Sequence, residues 1–160
     1  MASKILKKFL DDNFIRYVSI THSPAYTAQE TADCSLISGK ELAKTVIVKV
    51  DHKLVMTILP ASYMIDFRRL KEFFGTNNVT LAEEREFMAT FPGCDLGAMP
   101  PFGNLFNIEV YIDPHMASNK KITFNAGTQQ ELYSMAYKDY ANLVNPVRVS
   151  CCYLPVGFAA

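Results

Sequence analysis

Apolar residues along the chain change period several times, and the changes mark the elements. Ile5, Leu6, Phe9 and Leu10 recur at helical spacing across residues 3–12, and the strand-like "FIRYVSI" follows. "HSPAYTAQETADC" opens with turn residues and leads into a short helix, with Thr27 as cap and Glu30 completing a capping box. "AKTVIVKV" and "KLVMTILP" are rich in β-branched residues and are separated only by Asp51 and His52, the pattern of a hairpin. Asp66 can cap a helix that runs through Phe74 and stops at Gly75, and "LAEEREFMATF" reads as a further helix. Beyond it, "NIEVYID", "KITFN" and "ELYSMAY" read as strands and "DYANLVN" as a short helix before Pro146. "VRVSCCYLPVGFAA" begins as an edge strand and ends as a tail.

Helices set between hairpin-like strands predict an α+β fold, a single domain with a mixed, mostly antiparallel β-sheet flanked by helices. At 160 residues the chain is long enough to bury a core without disulfides or a structural metal. The 16 basic and 16 acidic residues cancel, which excludes a nucleic-acid binder that works by bulk charge but leaves room for a local basic patch. Cys34, Cys94, Cys151 and Cys152 form neither a CxxC pair nor a zinc spacing, as expected in a reducing compartment. The N-terminal stretch lacks the apolar run of a signal peptide, and charge-free runs such as "LVMTILPASYMI" reach only 12 residues. The expectation is a cytoplasmic protein with no membrane span.

Strand alternation puts Lys44 on one face with Val46, Val48 and Val50, while Thr45, Ile47 and Lys49 share the other. Two readings of a cation aimed along an apolar face are open: it is used in a site, or it snorkels outward to water. His22, His52 and His115 lack the spacing that puts two ligands on one helical face, so no metal site is expected. His52 reads as a turn residue and His115 as a helix-start residue, while His22 either lines a pocket or packs at the surface. Cys94 is the one candidate nucleophile, and nothing near it in sequence would lower its pKa, so a small loop or core residue is the simpler reading.

The stretch "GCDLGAMPPFGN", residues 93–104, cannot be a regular helix or a central strand. Pro100 and Pro101 contribute no N–H, which leaves the donors of Gly97, Ala98 and Met99 on one side and of Phe102, Gly103 and Asn104 on the other. Such a loop is either an ordinary tight turn or a cradle of exposed N–H groups for an anion or a polarised carbonyl.

Taken together, "HSPAYTAQE", "ELAKTVIVKV", "TILPASYMID", "GAMPPFGN" and "TFNAGT", in that order, resemble the YbaK-like aminoacyl-tRNA deacylases. These are stand-alone relatives of the editing domain inserted in bacterial prolyl-tRNA synthetases. The resemblance covers roughly residues 14–145. It implies a mixed sheet flanked by helices and a hydrolase that clears a wrongly attached small amino acid, such as alanine, from tRNA without a metal or other cofactor. Lys44 matches the family's essential lysine, and Gly97 to Pro101 match its Gly-x-x-x-Pro loop around the aminoacyl end. The resemblance further implies substrate contacts from His22, Thr27, Gly97, Ala98, Met99, Pro100, Pro101, Phe102, Gly103, Asn125, Ala126 and Gly127. Its partners would be the acceptor end of an aminoacyl-tRNA and prolyl-tRNA synthetase. The alternative in another class is a non-catalytic tRNA- or synthetase-associated module that keeps the same pocket.

Overall fold

A computed structural model describes residues 2–21 and 39–156. Its spine is the expected hairpin: β2 (Ala43–Val50) pairs antiparallel with β3 (Lys53–Pro60), in unbroken register from Ala43↔Pro60 to Val50↔Lys53. Asp51, at a φ of 55°, takes the left-handed turn that so short a connection needs. Its carboxylate accepts from Thr76 Oγ1 at 2.8 Å.

Around that hairpin a five-stranded sheet runs in the order β5 (Val79–Leu81), β2, β3, β6 (Val110–Ile112), β9 (Val147–Arg148). The pairs β2–β5 and β2–β3 are antiparallel, while β3–β6 and β6–β9 are parallel. A three-stranded antiparallel sheet has the order β1 (Tyr17–Thr21), β8 (Glu131–Ala136), β7 (Lys121–Asn125). A parallel bridge between Leu42 and Thr123 joins the start of β2 to β7. A third, two-stranded ladder pairs β4 (Met64–Ile65) with β10 (Cys152–Tyr153). The architecture is thus α+β with a mostly antiparallel sheet, as the alternation and the helical spacing predict.

Both faces of β2 are covered, which is why its sequence is apolar on both. Ala43 and Ile47 enter the main cluster with Met56, Ile58, Phe102 and Phe124. Val46, Val48 and Val50 face the second, around Leu70 of α2 (Phe67–Phe74). Helix α1 (Ala2–Asp12) buries Leu6 and Leu10 completely in the main cluster, and pairs Lys7 with Asp11 and Lys8 with Asp12 on its exposed side. Asp66 caps α2 by accepting from the Arg69 N–H, and Gly75, at a φ of 68°, ends it. Helix α4 (Tyr137–Val144) stops at left-handed Asn145, just before Pro146.

One expected helix is only partly there. "LAEEREFMATF" ends β5 at Leu81, makes a single turn as α3 (Glu84–Phe87) and tightens into a 3-10 turn at Met88–Thr90. Pairing with β2 takes Leu81 into the edge of the large sheet, Glu83 caps the turn that follows, and the chain tightens at Met88–Thr90 ahead of Pro92. The expected Thr27–Glu30 capping box lies outside the described residues.

Packing also accounts for a glycine. A Cβ on Gly103 would collide with the Ile108 carbonyl oxygen and the Val110 side chain. Gly103→Ala should therefore cost about 1–3 kcal/mol, read as a lower urea midpoint at unchanged slope. An unshifted midpoint would mean that the 103–110 backbone relaxes freely.

Candidate functional site

The cleft forms where β5 ends and the edge of β2 is left open. It has a volume of about 460 Å³ and is lined among the described residues by Lys44, Thr45, Val46 and Ile47 of β2, Leu81, Ala82, Glu84 and Phe87 opposite, and Leu96, Gly97 and Met99 of the glycine and proline loop. Lys44 and the loop, which the sequence marks separately, thus share one cavity. A depression of about 480 Å³ at Arg68, Lys71, Glu72, Gly75, Thr76 and Asn77 contains none of the predicted site residues.

Lys44 does not snorkel to water. Its side chain is half-buried, and Nζ donates to the Tyr63 carbonyl at 2.5 Å. Burial pulls its pKa below the ordinary lysine value. An ammonium has three donors, and the other two meet no partner among the described residues.

Backbone hydrogen bonds fix the loop. Gly127 N–H donates to the Ala98 carbonyl at 2.9 Å, and Asp95 N–H donates to the Gly127 carbonyl at 2.9 Å. Gln129 adds its N–H to Asp95 Oδ2 at 2.9 Å and its side-chain amide to the Leu96 carbonyl. The buried Tyr140 hydroxyl donates to the Pro101 carbonyl at 2.7 Å. Gly97 and Gly127, with φ of 80° and 97°, supply the left-handed positions this path demands. Pro100, Pro101 and Phe102 are buried beneath.

Of the six donors that the loop offers in sequence, two are already used. Ala98 N–H donates to the Asp95 carbonyl at 3.0 Å and Phe102 N–H to the Pro100 carbonyl at 2.8 Å. Gly97 and Met99, both lining the cleft, donate to none of the described residues. Gly103 is packed under the loop, while Asn125, Ala126 and Gly127 form the strand end to which the loop is stitched. Asn125 is 6% exposed, and its Oδ1 is buried without a hydrogen-bond partner among the described residues. Parallel bridging of Leu42 with Thr123 puts Lys44 and Asn125 two residues further on, on one face. His22 and Thr27 lie outside the described residues.

Cys94 is a core residue. It is 7% exposed, and burial, with the Asp95 charge beside it, pushes its thiol up to about 11. Sequence reasoning missed Tyr63, whose contribution is a main-chain oxygen, and Glu84, one of three glutamates within four positions. Glu83 pairs with Arg85 and Glu86 with Lys49, each at under 3 Å, so charge pattern alone does not single out the one that faces the cleft.

Asp113, His115 and Cys152 bring ligand-type atoms within 4.8 Å of one another. The carboxylate has no lone pair to spare. Oδ1 accepts from His115 N–H at 2.8 Å and faces His115 Nδ1 at 2.7 Å, and Oδ2 accepts from the Cys151 and Cys152 N–H groups at 2.8 and 3.1 Å. Burial works to raise the Asp113 pKa, but these donors outweigh it and hold the carboxyl below its ordinary value.

The sequence profile of the aminoacyl-tRNA editing domain matches residues 22–143, and the chain belongs to that family. The proline–tRNA ligase of Macrococcus caseolyticus is 28% identical over 134 residues, 83% of this chain and 23% of the ligase. That of Staphylococcus aureus is 34% identical over 87 residues, 54% of this chain and 15% of the ligase. The chain spans less than a quarter of the length of these relatives. Among solved structures, hypothetical protein APE2540 shares the fold at a TM-score of 0.81 and 20% identity, covering 93% of this chain and 99% of its own. A protein proposed as a trans-editing enzyme for prolyl tRNA synthetase does so at 0.77 and 16%, covering 95% and 97%. No helix among the described residues is long and apolar enough to cross a membrane.

The buried thiols give a direct test. Cys94 and Cys151, raised to about 11 and about 12, should resist iodoacetamide at pH 7 in the folded protein and react once it is unfolded in urea. Rapid native labelling of the Cys94 peptide, read by mass spectrometry, would reinstate a thiol nucleophile.

Proposed function

We propose that the protein is a trans-editing hydrolase that removes a wrongly attached small amino acid, such as alanine, from tRNA, with tRNA for proline as the first candidate. The observation that carries the reading is the shared cleft, lined by Lys44 and by Gly97 and Met99, whose N–H groups donate to none of the described residues. An aminoacyl ester is already activated, so its hydrolysis needs a positioned water, a polarised carbonyl and stabilisation of developing negative charge.

Water attacks the ester carbonyl carbon, and the Gly97 and Met99 donors hold the resulting oxyanion with Lys44 adding its charge. The bond to the ribose oxygen then breaks, that oxygen takes up the proton given up by the attacking water, and the free amino acid and tRNA leave. A ribose hydroxyl of the terminal adenosine helps to place the water. Asn125 does not line the cleft and its Oδ1 is buried, so it takes no part in the proposed step. The reading gives no step to a metal. Met99, 5% exposed, forms a wall that limits the side chain accepted. Prolyl-tRNA synthetase is the proposed protein partner.

Incubation of the pure protein with a panel of mischarged tRNAs should release alanine from tRNA for proline faster than any aromatic residue. Cleavage of bulky aromatic esters alone would refute the reading. Lys44→Met keeps the apolar stem and removes the charge, so the fold should persist while single-turnover deacylation falls by about a hundredfold. A loss confined to affinity would instead assign Lys44 to a phosphate.

The alkaline limb is a separate check. Because burial lowers the Lys44 pKa, the enzyme-dependent rate should fall with rising pH before an ordinary lysine, near about 10.4, would lose its proton. Buffer-corrected rates that stay flat through that range would remove the ammonium from the mechanism.

A further inference from the structure

Lys44 is aimed by a single described acceptor, the Tyr63 carbonyl, and that carbonyl belongs to no long ladder. Tyr63 sits between the turn that follows β3 and β4, a strand of two residues. Besides the turn, two supports hold it. Its ring packs on the His115 ring, with centroids 4.8 Å apart, and β4 is paired with the equally short β10 through Cys152↔Ile65 and Tyr153↔Met64. A ladder of that length is not stable alone.

Both supports converge on one carboxylate. Asp113 is 0% exposed and is anchored in the large sheet, where it follows β6 and donates its N–H to the Ile58 carbonyl at 2.9 Å. Oδ2 takes the N–H groups of Cys151 and Cys152 and so holds β10, while Oδ1 meets the backbone N–H and the ring Nδ1 of His115 and so sets the ring that faces Tyr63.

We propose that Asp113 and His115 are positioning residues for Lys44, fixing the Tyr63 carbonyl through β10 and through the imidazole so that the ammonium points into the cleft. The proposal rests on the editing reading for its consequence in catalysis, but the placement of Lys44 can be measured without it. The mechanism needs this because a cation displaced by about 1 Å from developing charge loses on the order of a hundredfold in rate.

The test uses three variants. Asp113→Asn keeps the volume but turns an amide NH₂ toward either the Cys151 and Cys152 donors or those of His115, so one support is lost. His115→Ala removes the ring and its Nδ1 contact at a side chain that is half exposed, which leaves folding safe. His115→Phe restores only the ring face against Tyr63. The single-turnover rate at saturating alanyl-tRNA should fall about tenfold or more in Asp113→Asn and less in His115→Ala, with half-saturation changed by under about twofold. His115→Phe should recover part of the loss.

The second readout is trace acetylation of Lys44 by acetic anhydride, followed by mass spectrometry against exposed Lys53 as internal reference. Measured at a pH high enough that the amine is neutral in every variant, which removes the effect of a changed pKa, Lys44 reactivity should rise about threefold or more where the rate falls, as access is gained. Folded variants that melt earlier but keep both the saturated rate and the Lys44 reactivity of the parent would overturn the proposal. If Asp113→Asn does not fold, His115→Ala decides. If the parent protein deacylates nothing, the editing reading fails, and the acetylation ratio still judges the placement of Lys44.

Discussion

The antiparallel ladder between β2 and β3 is the constraint on which the other elements hang. Its register puts Lys44 opposite Leu59, so the chain leaving β3 at Pro60 turns back within reach of the lysine it has just passed. A slip by one residue would exchange the two faces of β2, pointing Lys44 into the main core and Ile47 toward α2. Such a slip would bury a charge without a partner on one side and leave an apolar side chain misplaced on the other. The same ladder carries β5 on one edge and β6 on the other, and the Leu42 to Thr123 bridge hangs the small sheet from its start.

How much of this could be read from sequence depended on whether the controlling interaction is local. The hairpin, the Asp66 cap and the Gly75 stop rest on residues within a few positions of one another, and each is where the pattern puts it. "LAEEREFMATF" starts its helix late because a distant partner, β2, claims Leu81 as the end of an edge strand. Lys44 was legible because a lysine among valines is a conflict between charge and face. Tyr63 and Asp113 were not, since one contributes a main-chain oxygen and the other meets its donors from a segment about forty residues later. The loop was recognisable as a loop, yet which of its N–H groups remain available follows only from the stitch to Gly127.

The site is therefore assembled chiefly from backbone. Gly97 and Met99 offer main-chain donors, Tyr63 a main-chain acceptor, and the loop is tied by main-chain bonds to the end of β7. Side chains enter as supports: Gln129 under Asp95 and Leu96, Tyr140 under Pro101, Asp113 under β10. Substitution at Leu81 and Leu96, exposed at the mouth of the cleft, leaves this frame untouched. Variation in what enters can thus be separated from variation in how it is held.

The proline pair has a thermodynamic consequence. Two fixed φ angles, a carbonyl clamped by Tyr140 and a double tie to Gly127 mean that the loop surrenders its conformational freedom when the chain folds and not when a ligand arrives. Association then loses chiefly the translational, rotational and internal entropy of the incoming group. A cavity of that kind discriminates by shape that does not yield, because a misfitting ligand cannot draw on loop rearrangement to relieve the clash.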